Sequence, residues 1–158
     1  MYSGWAGGAH VTAEKLDEIS GIWTPYTTTW TGSVSNPAIG NGTMEAEYAL
    51  CGGVCFVRVS VEMGSTTTYG SGQYKWTLPF QAATLATTKL GYIGSAYCTD
   101  AGVAYYAGIT RAIGGESFMI AISPTTSTGS TPAEWNPVRP FTFASGDAIN
   151  LFLAYKPA

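Results

Sequence analysis

Charge is what this chain has least of. Only 11% of its 158 residues are Asp, Glu, Lys or Arg. The seven Lys and Arg are scattered, and the formal charge is -3, so the electrostatic footprint of a nucleic-acid binder is missing. A disordered chain would carry more charge and fewer aromatics; here aromatics reach 13%, and a packed domain is expected everywhere except at the termini. Histidine is down to a single residue, His10, which lies in a Gly-rich stretch far from any Ser or Cys in a strained turn. That spacing offers no nucleophile and base pair. No segment is long and apolar enough to cross a bilayer. Near Met1 no Lys or Arg precedes an uninterrupted apolar run, so neither membrane insertion nor a secretory signal is predicted. Synthesis in a cytoplasm is expected, which fits a chain with only three cysteines.

What remains is Gly, Thr, Ser and aromatic residues, the mixture of short strands and tight turns. The length suits one domain with its own core. The clearest local signal is a pair of alternating runs, Met44 to Cys51 and Val54 to Met63, separated only by Gly52 and Gly53. A two-residue hairpin follows. Pairing Cys51 with Val54 sets Leu50 opposite Cys55, Tyr48 opposite Val57, Ala46 opposite Val59 and Met44 opposite Val61, an apolar face, while Glu47 meets Arg58 on the other. A slip of one residue would reverse both faces. The same register sends Cys51 and Cys55 to opposite sides of the sheet, so free thiols are expected. With one histidine in the chain, no metal site and no cofactor is predicted.

Further strands are predicted at Tyr26 to Thr31, at Gln73 to Leu78 with Tyr74, Trp76 and Leu78 inward, and at Leu90 to Cys98. Ala104 to Ile113 and Ser117 to Ile122 follow, joined at Gly114 and Gly115. Ala148 to Tyr155 is the last, with Ile149, Leu151, Leu153 and Tyr155 inward. About eight short strands with long connections predict an all-β fold, an antiparallel β-sandwich of the jelly-roll type, with a β-barrel as the alternative. Ahead of this domain, placed at 22–158, residues 1–21 are predicted to form a Gly-rich arm and a short helix. The helix spans His10 to Ser20, with Thr12 as its cap and Val11, Leu16 and Ile19 on one side.

Chemistry is hard to find. Glu45 and Glu47 share one strand face, about 7 Å apart by strand rise, but Glu47 has Arg58 opposite and the face is solvated. The Gly-rich stretches at Gly70 to Gln73 and Gly114 to Ser117 lack the spacing and following Lys of a phosphate loop. No catalytic residue is assigned. Aromatic side chains beside Ser-, Thr- and Asn-rich loops are the candidate ligand-binding residues: Tyr69, Tyr106 and Trp135, in a mixture suited to sugars. Tyr92 and Tyr105 also fall beside loops.

The stretch from Trp23 to Phe80, with TPYTTTW, NPAIGNGT, GSTTTYGSG and the closing Trp76-Thr77-Leu78-Pro79, resembles a domain recurrent in minor tail and other virion proteins of phages and prophages of actinobacteria. PFTFASGDAINLFLAY at Pro140 to Tyr155 looks like the end of the same domain, and AGGAHVTAEKLDEI resembles its lead-in helix. The resemblance implies a non-enzymatic phage structural protein located in the virion, either a minor tail protein or a head decoration protein of the capsid. It also implies self-association as a homotrimer, contact with other virion proteins through the amino-terminal arm, and contact with a host-surface glycan. A carbohydrate-binding β-sandwich module is the alternative reading.

Overall fold

The alternating runs become ten strands in the computed structural model, which describes residues 12, 13, 16, 21–123 and 133–158. They are β1 (Thr24–Pro25), β2 (Trp30–Gly32), β3 (Thr43–Cys51), β4 (Val54–Glu62), β5 (Tyr74–Thr77), β6 (Gly91–Asp100), β7 (Ala104–Ile113), β8 (Phe118–Ser123), β9 (Ala133–Glu134) and β10 (Ala148–Tyr155). Helical conformation stands among the described residues only at Ala13 and Leu16. Of the helix predicted over His10 to Ser20, what is described is one Leu16 N–H donating to the Thr12 carbonyl at 3.0 Å; the rest, like the arm and His10, lies outside the described residues.

The β3–β4 hairpin has the predicted register throughout, from Cys51 opposite Val54 to Met44 opposite Val61. Its turn needs two left-handed residues in succession. Gly52 and Gly53 supply them with φ of 58° and 81°, the combination that twists with the strands instead of against them. Cys55, Val57, Val59 and Val61 are buried on one face, and on the other Arg58 pairs with Glu47 and lies 6.0 Å from the Trp23 ring centroid. Cys51, half-buried, is on that outer face, opposite in direction to Cys55.

The two-sheet sandwich is not what forms. All pairings are antiparallel, and the strands make one path in the order β1-β3-β4-β10-β6-β7-β8-β5-β2, with β9 beside β8. The reason is β10. It pairs with β4 from Ala148–Glu62 to Tyr155–Cys55 and with β6 from Ala148–Thr99 to Phe152–Ser95, so the two halves share one ladder instead of facing each other as layers. Ile149, Leu151, Leu153 and Tyr155 are buried as predicted, as are Tyr74, Trp76 and Leu78.

The sheet curls into a half-barrel, and one stretch of chain reaches both of its edges. β1 pairs with β3, Tyr26 N–H donates to the Ala46 carbonyl at 2.9 Å, and four residues after Tyr26 β2 pairs with β5, Trp30 opposite Trp76. Between them the Thr77 carbonyl accepts from the Tyr26 hydroxyl at 3.1 Å and from the buried Thr28 hydroxyl at 2.9 Å, while Thr29 N–H donates to Thr77 Oγ1 at 2.8 Å. Tyr48 of β3 meets Phe80 edge-on at 5.1 Å, and the Tyr155 hydroxyl donates to the Phe80 carbonyl at 2.8 Å. The curl therefore rests on specific polar contacts as well as on the inward apolar face.

The β7–β8 hairpin exists as predicted but with a different turn. Arg111 pairs with Ile120, which leaves residues 114–117 in the loop instead of the two glycines alone. Glu116 N–H donates to the Ile113 carbonyl at 3.1 Å around Gly115, whose φ is 87°. One positive φ makes a type II turn, and a two-residue hairpin turn of type I′ needs two.

Two predictions follow from this packing. Tyr26→Phe and Thr28→Val should each cost about 1 kcal/mol in urea unfolding, because either hydroxyl alone still serves the Thr77 carbonyl; the double variant should cost more than the sum. Strict additivity would show that the carbonyl is not shared. Cys55→Ser should cost about 1–3 kcal/mol by placing a hydroxyl in the core, and Cys51→Ser less than about 0.5 kcal/mol. Equal costs would contradict the register.

Candidate functional site

Two loops, 33–42 between β2 and β3 and 63–73 between β4 and β5, leave the same end of the sheet and are fastened to each other. Ala38 and Thr68 exchange backbone hydrogen bonds at 2.9 and 2.8 Å, and the Ser71 carbonyl accepts from Val34 and Ser35 N–H, both at 3.2 Å. The side chains repeat the connection. Asn41 Oδ1 accepts from the Thr66 N–H and hydroxyl, both at 2.9 Å, and Asn41 N–H donates to Thr66 Oγ1 at 2.9 Å. The Ser35 and Ser71 hydroxyls lie 2.7 Å apart, and the buried Thr67 hydroxyl donates to the Ile39 carbonyl at 2.6 Å. The motifs NPAIGNGT and GSTTTYGSG are thus the two halves of one interlocked surface. It presents hydroxyls, amides and Val34, with no charged side chain in either loop.

Beneath it lies a chain of aromatic contacts that reaches the three residues singled out from the sequence. Tyr106 stacks on Phe141 at 4.9 Å, Phe141 lies 4.6 Å from Phe143, and Phe143 lies 6.2 Å from Tyr74. Tyr74 donates its hydroxyl to the Tyr69 carbonyl at 2.8 Å and its N–H to the Trp135 carbonyl at 2.9 Å. Tyr69, Tyr106 and Trp135 therefore belong to one end of the molecule. Their exposure differs. Tyr69 and Tyr106 are half-buried at the flanks, whereas Trp135 is 0% exposed and its indole donates to Ser123 Oγ at 2.6 Å. Trp135 is part of the floor and offers no ring to a ligand. Gly108 makes room for it: a Cβ there would stand 2.9 Å from the indole. Tyr92 donates its hydroxyl to the Ala83 carbonyl at 3.3 Å and packs on Tyr155, away from this end. The expected ligand loop 125–136 lies mostly outside the described residues.

Sequence reasoning passed over Asp147, which is buried and ties the end together. Its carboxylate accepts from Ala101 N–H at 2.9 Å and from Ala144 N–H at 2.6 Å, pinning the β6–β7 turn to the residues before β10. Small polar residues in turns carry that role routinely, so the only available signal was SGD ahead of an apolar run. Sequence reasoning also passed over the outer face of the central strands. There Ile93, Tyr97, Tyr105, Ile109 and Phe152 are exposed, and the Tyr97 and Tyr105 rings stack at 5.7 Å.

The chemistry open to this end is binding by neutral hydrogen-bonding groups. Among the described residues no three His, Cys, Asp or Glu side chains are grouped to hold a metal. Glu47 is engaged with Arg58 on the outer face, and Glu45 shares that face. The Cys98 thiol and the Tyr69 and Tyr74 hydroxyls are held neutral. Burial, then the charges of Asp147 and Asp100, push the Cys98 thiol up to about 12; burial, then Asp147, raises the Tyr69 hydroxyl; burial, then Tyr69, raises that of Tyr74.

Known proteins give one informative comparison. The chain is 29% identical over 136 residues to the Mu-like prophage FluMu defective tail fiber protein of Haemophilus influenzae, across 83% of this chain. It spans 20% of that protein's length. No family model and no solved structure matches it.

Raised acid groups fix the sign of the alkaline response. Their contribution is complete below the ordinary thiol value of 9.0 and is lost as pH rises toward about 12, because the unfolded chain releases protons that the fold retains. Thermal midpoints should be lower at about pH 11 than at about pH 8, with a smaller difference in Cys98→Ala. Equal midpoints at both pH values in the unsubstituted chain would contradict the burial of these groups.

Proposed function

We propose that this chain is a non-enzymatic structural module of a phage virion, part of a tail-fibre-like protein that self-associates as a homotrimer and presents the interlocked loops outward. The similarity to a tail fibre protein, extending over 83% of the chain, carries this reading and favours the tail over a decoration role on the head. The physical character of the molecule supports it. A half-barrel with a buried apolar interior and hydrogen-bonded loops is built to hold a shape; the oxygens of Ser33, Asn36, Ser65 and Thr68 accept within the chain, which leaves their O–H and N–H groups to donate outward. Residues 1–21 serve as the part that meets other virion proteins.

The loop surface supports contact with a neutral host-surface glycan. Hydroxyls and amides of Ser33, Asn36, Ser65 and Thr68, with Tyr69 behind them, match the hydrogen-bonding demands of a sugar without requiring charge. This is also the feature on which the alternative, a carbohydrate-binding module, rests. Trp135 takes no part in it, since its indole is buried.

Antibody labelling of particles that carry the protein should place it on the tail, and labelling confined to the capsid would overturn the tail assignment. A chain lacking residues 1–20 should keep its β-type circular dichroism and be missing from purified particles. Normal incorporation of the truncated chain would contradict the docking role of the arm.

A further inference from the structure

The central strands of the half-barrel are apolar on both faces, and only one of those faces is the core. On the outer side, register places Phe152 of β10 opposite Ser95 of β6, Ser95 opposite Ile109 of β7, and Ile109 opposite Ile122 of β8. The neighbouring row sets Ile93 against Arg111 and Arg111 against Ile120. Ile93 is 64% and Tyr105 71% exposed, and Tyr97, Ile109 and Phe152 are exposed as well. Strands covered on both faces read as continuous apolar runs, as FMIAIS in β8 does, whereas a solvated face reads as alternation with charge. These strands follow the first pattern. Arg111 is the one charged residue pointing outward from β6, β7, β8 and β10, and Arg58 at the rim already has Glu47.

We infer that this outer face of β10, β6 and β7, beside the β8 residues Ile120 and Ile122 that the chain already buries itself, is buried against copies of the same chain, the inference resting on the proposed homotrimer and naming the surface that builds it. Three observations select a copy of this chain as the occupant. The face is close to neutral, so a partner distinguished by charge finds nothing on it to read, while a copy of this chain meets no like-charge repulsion there. The five exposed side chains amount to roughly 500 Å² at the areas usual for such residues, and with the intervening Ser95, Ala107 and Asn150 the face approaches the roughly 800 Å² that each partner contributes to a stable interface. That is at the upper end of the largest apolar patch a soluble monomer leaves bare, about 300–600 Å². Finally, β10, β6 and β7 are each hydrogen-bonded on both sides. A partner therefore meets them through side chains and face-to-face packing; strand addition is closed to it. The parallel stack of Tyr97 and Tyr105 gives a flat plate suited to that packing.

Light scattering after gel filtration reads the result. The unsubstituted chain should run at a multiple of its 16.6 kDa mass, three-fold if the trimer is right, and Ile109→Glu with Phe152→Glu should run at the mass of one chain with unchanged circular dichroism. Val34→Glu, which charges the 80% exposed loop position instead, should leave the multiple intact. If the double variant retains the multiple, the face is wrong while the self-association reading stands; if the unsubstituted chain is a single copy at about 50 μM, both fall. Should the double variant fail to fold, hydroxyl-radical labelling of the unsubstituted protein decides: Tyr105 and Ile93 should be labelled several-fold less in the oligomer than after dilution to single chains. Equal labelling in the two states overturns the inference.

Discussion

The structure depends on where β10 goes. It is the last strand in sequence, yet it occupies the place between β4 and β6 and supplies Ile149, Leu151, Leu153 and Tyr155 to the core. Burying each of these side chains is worth about 1.5–3 kcal/mol. Without β10, the β3–β4 hairpin and the β6–β7–β8 meander have no common ladder, and the residues that close the curl lose a partner, because the Tyr155 hydroxyl is what holds Phe80. Asp147 sits directly before the strand and fixes its entry by accepting two backbone N–H groups. Pairing β10 with β4 joins residues as distant in sequence as Ser60 and Asn150, a longer loop to close than that of either hairpin.

Local signals in the sequence carried local structure. The period of two in Met44 to Met63, interrupted by two glycines, specified a hairpin, its register and which faces of its residues are buried. The same alternation marked the inward residues of β5 and β10. Strand order was not legible, because nothing in a run such as AINLFLAY says which two neighbours it will join, and a sandwich and a half-barrel use the same inward residues. Closure was hidden for a related reason: it rests on Thr77, Thr28 and Tyr26, three residues of a Thr-rich stretch indistinguishable from their neighbours until the chain is curled. Trp135 illustrates a different failure. Turn-forming residues around it pointed to the surface, but Gly108 on a distant strand leaves the space that the indole fills.

Alternation alone does not reveal the outer face of β6, β7 and β8. In β6, β7 and β8 apolar residues stand at both phases, Ile93 and Tyr97 outward against Ala96 and Cys98 inward, Ile109 outward against Ala112 inward, Ile120 and Ile122 outward against Met119 and Ala121 inward. A sheet solvated on one side gains nothing from outward isoleucine and tyrosine, and its solubility suffers. The low charge of the chain is the same fact at the level of composition: there are too few ionised side chains to cover the outside of a curled sheet.

Interlocking the two loops has a thermodynamic consequence for anything they touch. Asn41, Thr66 and Thr67 use their side chains to hold backbone, so the entropy of ordering the loops is lost at folding and not again at contact. A weak, neutral hydrogen-bonding surface gains most from this, since each of its contacts with a ligand is worth only about 1 kcal/mol against water. Under the proposed self-association, copies of such a surface would add their contacts through effective concentration. In the assembly proposed above, rigidity within a copy and association between copies would serve the same end, attachment by a chain with very little charge to use.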